Sequence, residues 1–350
     1  MAGITLRDSG LQIHRWLGLA VGLLAIALAL SGAVLACAPL IDRIAAPARY
    51  RVSGETRLAA SAYAEAAYRR LRPGERIAAL SMERGSAPVI VTLDRASDRA
   101  RRLLFLDPPT AQMLASARAD GGMIGVVRRL HQGLFLSGIG RWIIAVGGIA
   151  VLLASLTGLW AQLFRQRPKP SAKRLAKDAR SALWHQRIAL WSAIPVLAMT
   201  ATGTILAFSD TMATVPSARP VTRPALPVQR VVASARTWSR GTTLTVIDWP
   251  TERSADWTLH FAGSQPATIK VADDTAGALS APALAAPVAL SWMGRLHEGQ
   301  GMPWVWAPLA VLTGLLSAWT AATGLVAWAR RPKFRPARRS ADRRRRGPAA

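Results

Sequence analysis

Apolar residues in this chain are gathered into blocks. Four of them, near residues 14–36, 139–164, 185–208 and 304–329, are nearly unbroken runs of Ala, Leu, Ile, Val, Gly and Trp. A helix rises 1.5 Å per residue, so a hydrocarbon layer of roughly 30 Å takes about 20 residues to cross. Each block is long enough, and the pattern predicts four membrane-spanning helices. Between the first and second blocks, and again between the third and fourth, the pattern changes. Residues 59–71 and 228–238 read as helices. The runs 76–82, 88–93 and 102–106, and then 244–247, 257–261 and 268–271, are alternating or β-branched. Alternation with β-branched residues marks half-buried strands. Each long loop is therefore expected to hold a small α/β domain.

Charge orients these spans. The 350 residues carry 45 Lys and Arg against 19 Asp and Glu, a formal net charge of +26. Such a balance raises the question of nucleic acid, but its placement points to lipid. The stretch between the second and third blocks holds Arg165, Arg167, Lys169, Lys173, Arg174, Lys177 and Arg180 against one acid, Asp178, and the tail runs through Arg343-Arg344-Arg345-Arg346. Short basic segments beside spans stay on the cytoplasmic side. Both termini and the middle linker are expected inside, the long loops outside, with anionic lipid and no nucleic acid as the partner of the basic tail. The single cysteine, Cys37, excludes an internal disulfide and any cysteine-based cluster or zinc site. Val34-Leu35-Ala36-Cys37 has a lipoprotein-like look, but Leu35 is large for a cleavage site and the block exceeds a usual signal core, so the segment is expected to be retained.

The chain also repeats itself. With His131 laid on His297, Arg129-Leu130 meets Arg295-Leu296, Gly133 meets Gly299, Gly148 meets Gly314, and Thr157-Gly158-Leu159 meets Thr323-Gly324-Leu325. With His14 laid on His185, Ser31-Gly32 meets Thr202-Gly203. The fold expected is a polytopic α-helical membrane protein of four transmembrane helices in two pseudo-symmetric halves, each with a small α/β insertion.

These motifs carry a resemblance. The opening His14-Arg15-Trp16-Leu17-Gly18-Leu19, the L-H-x-G at 130–133 and 296–299, and the T-G-L exits resemble the PepSY-associated transmembrane family. The loop endings Leu106 to Leu114 (L-D-P-P-T-A-Q-M-L) and Val271 to Leu279 (V-A-D-D-T-A-G-A-L) are similar to the D-x-x-T-G-x-hydrophobic ending of PepSY modules. The likeness covers nearly the whole chain except its basic tail. It implies an iron-regulated protein of the bacterial inner membrane with PepSY-like periplasmic insertions, and a family that includes haem-containing reductases of ferric siderophores. The expected organisation is a cytoplasmic N-terminus (1–13), a first span (14–37), a periplasmic domain (38–125), a histidine segment with the second span (126–164) and a basic linker (165–182). A third span (183–208), a second periplasmic domain (209–290), a histidine segment with the fourth span (291–329) and a basic disordered tail (330–350) follow.

Four of five histidines stand at the N-terminal ends of the four spans. Because the spans alternate in direction, His14 and His185 belong at the inner face, His131 and His297 at the outer. Neutral imidazole is a good iron ligand, and a low-spin electron-transfer haem takes one on each face. The duplication thus offers two pairs, His14 with His185 and His131 with His297, for two haems b per chain, held non-covalently since no CxxCH occurs. A methionine ligand, or histidines from one half only, is the other way to fill a site. An isolated interfacial histidine is more often a plain polar group near headgroups. From His14 to Ser31 a straight helix would rise about 26 Å. His131 lies before the Ser137-Gly138-Ile139-Gly140 break, and His297 before Gly299, Gly301 and Pro303, so each is expected on a short interfacial segment.

Antiparallel neighbours would bring Gly158 and Gly324 to the level of His14 and His185, and Gly32 and Gly203 to that of His131 and His297. Small residues there let a macrocycle, or simply another helix, come close. Arg129, Arg141 and Arg295 suit haem propionates, an anionic ferric chelate or lipid headgroups. Trp16, Trp142, Trp184, Trp292, Trp304 and Trp306 fit an aromatic belt. His260, in a strand, is a packed or surface residue or a substrate contact.

The leading function is electron transfer across the membrane, with a ferric siderophore as the acceptor that the resemblance implies. The donor, a quinol or a cytoplasmic reductant, is separate, since no flavin or nicotinamide module is apparent. A protein without a redox centre, binding or restraining an envelope peptidase or other partner through its PepSY domains, is the alternative. Transport of the chelate is a third, poorly served by four spans with no buried carboxylate.

Overall fold

Helix α1 (Leu6–Ala36) is long, apolar and unbroken. We describe a computed structural model that covers residues 6–83, 85–95, 100–163, 177–212, 218–239, 242–263, 267–281, 288–299 and 303–330. The basic linker expected at 165–182 lies mostly outside these residues, and the basic tail at 330–350 does so from 331 onward. After α1 come α2 (Ala38–Ala45), a 3-10 turn at Pro47–Tyr50, α3 (Ala60–Tyr68), and strands β1 (Glu75–Met82), β2 (Val89–Arg95), β3 (Arg101–Leu106) and β4 (Met113–Arg118). Helices α4 (Gly122–Gly133) and α5 (Gly138–Leu163) close this first part.

The second part runs α6 (Lys177–Trp191), α7 (Ala193–Met212), α8 (Val228–Arg236), β5 (Thr243–Asp248), β6 (Asp256–Ala262), β7 (Ala267–Ala272), β8 (Ala278–Ala281), α9 (Val288–Glu298) and α10 (Pro303–Ala329). By length and composition, segments of α1, α5 and α10 can each cross a membrane, and α6 with α7, bent by 72°, is together apolar enough for a broken span or a re-entrant loop. This is a multi-pass membrane protein. The bend has a local cause. Pro195 offers no N–H to the Trp191 carbonyl, and its ring crowds that group. The Ser192 hydroxyl donates to the Ile188 carbonyl at 2.7 Å and adds to the distortion. At the position matching Pro195 in the repeat, α1 has Leu24 and continues without a break.

Contacts divide the chain into two units. One comprises Met1–Leu30, Gly147–Ala201 and Leu312–Ala350; the other comprises Ser31–Val146 and Thr202–Val311. Within the first, glycine lets helices approach closely: a Cβ on Gly147 would stand 2.4 Å from Leu24, and one on Gly22 2.9 Å from Leu325. Leu23 is 74% exposed on α1, as a lipid-facing leucine should be.

In the second unit the strands of both loops form one eight-stranded antiparallel sheet, ordered β4-β3-β2-β1-β5-β6-β7-β8. The seam joins β1 to β5, pairing Ala79 with Asp248, Leu80 with Ile247 and Ser81 with Val246. Alternate residues of the inner strands are buried, and α3 and α8 pack over that face. Tyr63, Ala67, Leu80, Val231, Ile247 and Trp257 are completely buried in this core. Buried polar tips find partners: the Tyr63 hydroxyl donates to the Pro108 carbonyl, and Trp257 Nε1 donates to Asp273 Oδ1 at 2.7 Å.

The turn after β3 is tied down by Asp107, which accepts from Ser53 N–H at 2.7 Å and from the hydroxyls of Ser53 and Thr110 at 2.6 Å each. In the turn after β7 the clamping carboxylate is Asp273, which accepts from the Ala225 and Leu226 N–H groups. Burial pushes the Asp107 carboxyl up, but its three donors outweigh that and hold it below the ordinary aspartate range. A group depressed on folding adds stability above its unfolded pKa of about 3.9, and that stability is lost as pH falls through the lower folded value. Acid unfolding of the sheet, followed by circular dichroism below about pH 4, should therefore steepen with Asp107 present and flatten in Asp107→Asn.

Two facing histidine pairs

Helix α1 carries His14 near its start, and α6 carries His185 seven residues before its break. In the first unit these two rings stand with centroids 6.0 Å apart and planes tilted by 51°. Helices α5 and α10 build the socket behind each. His14 Nδ1–H donates to the Ala154 carbonyl at 2.7 Å, and His185 Nδ1–H donates to the Thr320 carbonyl at 2.8 Å. A carbonyl can only accept, so the proton sits on Nδ1 and the lone pair on Nε2 in both rings. Gly158 and Gly324 line the ring edges: a Cβ would lie 2.7 Å from His14 Cε1 at Gly158 and 3.0 Å from His185 Cε1 at Gly324.

The second unit repeats the plan with other parts. His131 lies in the last turn of α4 and His297 in that of α9, two short helices that end before the spans α5 and α10 begin. Their centroids are 6.3 Å apart and their planes 31°. His131 Nδ1 is 2.9 Å from Ser31 Oγ, and His297 Nδ1 is 3.2 Å from Thr202 Oγ1, both buried hydroxyls. A Cβ on Gly32 would approach His131 Cε1 to 3.0 Å, and one on Gly203 would approach His297 Cε1 to 2.7 Å. Helix α4 stops just past its histidine because Leu134 and Phe135 adopt φ of 51° and 59°. Side chains there are strained by about 1–2 kcal/mol each, and the Leu134 and Phe135 N–H groups cap the Leu130 and Arg129 carbonyls.

The spacing of the rings decides what fits between them. An iron bonded to two Nε2 atoms at roughly 2 Å, each about 1.2 Å from its ring centroid, puts the centroids about 6.4 Å apart. Two imidazoles sharing a direct N–H···N hydrogen bond would stand closer, near 5.3 Å by the same geometry with about 2.9 Å between nitrogens. The values of 6.0 and 6.3 Å match the first case. Each donor set is two imidazoles, and no cluster of three or more His, Cys, Asp or Glu of metal-holding geometry occurs among the described residues. A bare ion would lack ligands; an iron carrying its own four equatorial nitrogens would not. Among the described residues, two buried polar side-chain atoms without a hydrogen-bond partner lie near the pairs. Thr320 Oγ1 belongs to the residue whose carbonyl takes His185, and Trp306 Nε1 belongs to a ring packed on Gly299, two residues beyond His297.

Other residues singled out from the sequence are placed differently. Arg129 donates to the Asp120 carbonyl at 2.6 Å, which ties α4 to the turn after β4. Arg141 and Arg295 are exposed. His260 stays within the sheet, with Nε2 3.0 Å from Asp248 Oδ2 and Nδ1 3.3 Å from Thr268 Oγ1, both on neighbouring strands. The carbonyl acceptors Ala154 and Thr320 escape sequence reading because a backbone oxygen leaves no residue signature. Thr157 and Thr323 do leave one. Each hydroxyl donates four residues back, at 2.7 and 2.8 Å, and also lies 3.1 and 3.0 Å from the carbonyl that receives the histidine.

The family model described as PepSY-associated TM region covers residues 11–331. No curated protein matches the chain.

Proposed function

The chain belongs to the PepSY-associated TM region family, and on that premise we propose that it is a di-haem b oxidoreductase of the bacterial inner membrane. It passes electrons across the bilayer to a periplasmic acceptor, a ferric siderophore, and so acts as a haem-dependent ferric-siderophore reductase in iron uptake. The observation that carries this reading is the pair of ring separations, 6.0 and 6.3 Å, each suited to one iron between two imidazoles.

Haem held between His14 and His185 and between His131 and His297 would supply reversible one-electron storage. The chain's own residues do the rest. The Ala154 and Thr320 carbonyls hold His14 and His185 in the tautomer that presents Nε2. Ser31 and Thr202 orient His131 and His297. Gly158, Gly324, Gly32 and Gly203 leave the ring edges room to lie flat against their helices. A haem held by two imidazoles would suit electron transfer rather than ligand binding. One electron from a quinol or a cytoplasmic reductant converts the substrate's Fe(III) to Fe(II), which hard oxygen ligands hold less tightly.

In this reading the termini and the 165–182 linker are cytoplasmic, the α6–α7 pair is the third of four spans, and the halves are pseudo-symmetric. The loops 38–125 and 209–290 are periplasmic. Arg141 and Arg295, both exposed, are available to anionic groups on that side.

The test is optical. Detergent-purified protein should be red, with a reducible Soret band and about two haems b per chain by pyridine haemochrome, one for each bis-histidine pair. His14→Ala and His131→Ala should each remove one. Colourless protein from haem-replete cells would overturn the reading in favour of a non-redox role in binding an envelope peptidase or other partner.

A further inference from the structure

Each of the four histidines rests its Cε1 edge on the glycine of a Ser/Thr-Gly pair: Ser31-Gly32, Thr157-Gly158, Thr202-Gly203 and Thr323-Gly324. The hydroxyls of these pairs are used in two ways. In α1 and α7 the hydroxyl meets Nδ1 directly, at 2.9 and 3.2 Å. In α5 and α10 the ring reaches past it to a backbone carbonyl three residues earlier, at 2.7 and 2.8 Å, and the hydroxyl shares that carbonyl as a second donor. The four sockets are alike in sequence and unlike in hydrogen bonding.

The difference has an electronic consequence. An axial imidazole becomes more basic as its Nδ1–H is drawn toward a stronger acceptor, and a more basic ligand favours the oxidised, more positive iron. A peptide carbonyl at 2.7–2.8 Å is an acceptor only, and it pulls on that proton harder than a hydroxyl at 2.9–3.2 Å. A hydroxyl on a helix commonly gives its own proton to a carbonyl in the preceding turn, which leaves its oxygen to accept from the ring.

We infer that Ser31, Thr202, Thr157 and Thr323 are redox-positioning residues that set unequal reduction potentials at the two pairs, lower at His14/His185 and higher at His131/His297. The gradient runs one way, so an electron received at the first pair is favoured to reside at the second. The substitutions then act with opposite signs. Removing the Ser31 or Thr202 hydroxyl takes away an acceptor at that Nδ1, makes the ring less basic and raises the potential of the second pair. Removing the Thr157 or Thr323 hydroxyl frees a carbonyl from a competing donor, strengthens its pull on Nδ1 and lowers the potential of the first pair.

The inference rests on the di-haem reading, and its test separates the two. Haem content of the full-length, detergent-purified protein is measured first; absence of haem sinks both. With about two haems present, a spectroelectrochemical titration should resolve two one-electron waves. They should differ by at least tenfold in reduction equilibrium, or 59 mV for one electron. His14→Ala and His131→Ala, each leaving one site, assign the waves. Ser31→Ala and Thr202→Ala should move only the higher wave, upward; Thr157→Ala and Thr323→Ala should move only the lower wave, downward. Ser31→Thr and Thr202→Ser, which keep the hydroxyl, should restore the parent values. Where one alanine variant loses haem, its partner in the same pair carries the measurement. Full haem content with a single wave, with the reversed order, or with all four variants shifting alike would overturn the inference and leave the di-haem reading standing.

Discussion

On the di-haem reading, Gly203→Ala and Gly158→Ala are expected to cost the protein about one haem each, whereas Gly32→Ala and Gly324→Ala keep most of theirs. The added methyl carbon would sit 2.7 Å from the imidazole Cε1 in the first two cases and 3.0 Å in the others. Carbon atoms in contact settle at roughly 3.5 Å, so the ring must retreat by about 0.8 Å at Gly203 and Gly158. His14 has little freedom to do so, because its Nδ1 is anchored 2.7 Å from the Ala154 carbonyl. His297 has a longer, looser tether at 3.2 Å, and movement there carries the ring out of line with His131. Overpacking of this kind typically costs 1–3 kcal/mol, enough to reduce occupancy at a site that needs both imidazoles aligned. Haemochrome content and reduced-minus-oxidised spectra of the four variants provide the check. Equal retention in all four would show that the glycines serve helix packing alone.

Arg102→Ala should destabilise the sheet by about 3–5 kcal/mol, the cost of leaving a buried partner charge uncompensated. The Glu75 side chain is 2% exposed and that of Arg102 11%, and two nitrogens of the guanidinium grip the carboxylate, with Nε to Oε1 at 2.8 Å. Arg102 also donates to the Arg70 carbonyl at 2.9 Å, joining the end of α3 to β3. Burial alone would raise the Glu75 carboxyl, but the Arg102 guanidinium and the Arg72 N–H outweigh it and hold the group below the usual glutamate range. Urea denaturation of the purified protein, read by far-ultraviolet circular dichroism, measures the loss. A paired Glu75→Leu/Arg102→Leu variant should recover most of it, since an ion pair exchanged for apolar packing of similar volume is often neutral. If the double variant is as unstable as the single one, the contribution lies in the Arg102 hydrogen bonds to the Arg70 carbonyl and, at 3.3 Å, to the Ser116 hydroxyl rather than in the charge pair.

Much of this architecture is legible in the sequence because it rests on local periodicity. Unbroken apolar runs mark α1, α5 and α10, and strand-like patterns mark β1, β2, β3, β5, β6 and β7 to within a residue or two. The repeat offsets name the same histidine partners whose rings stand 6.0 and 6.3 Å apart. Short strands at the sheet edges are another matter. Met113–Arg118 and Ala278–Ala281 are weakly apolar and need only one neighbour, so little in their composition separates them from loop. The joining of β1 to β5 depends on contacts between distant segments, and two separate small domains would satisfy the same pattern. The division of the third apolar block at Ser192 was readable in principle from Pro195, but proline within an apolar run does not by itself say how far the axis turns.

The seam between β1 and β5 bears on how the protein is made. Ribosomes add roughly 5–20 residues per second, and β5 begins at Thr243, long after β1 ends at Met82. For on the order of ten seconds at those speeds the nascent first half presents β1 with one flank of N–H and C=O groups unpaired, an open invitation to stray strands. That flank closes only when β5 of the same chain, Thr243–Asp248, has been made.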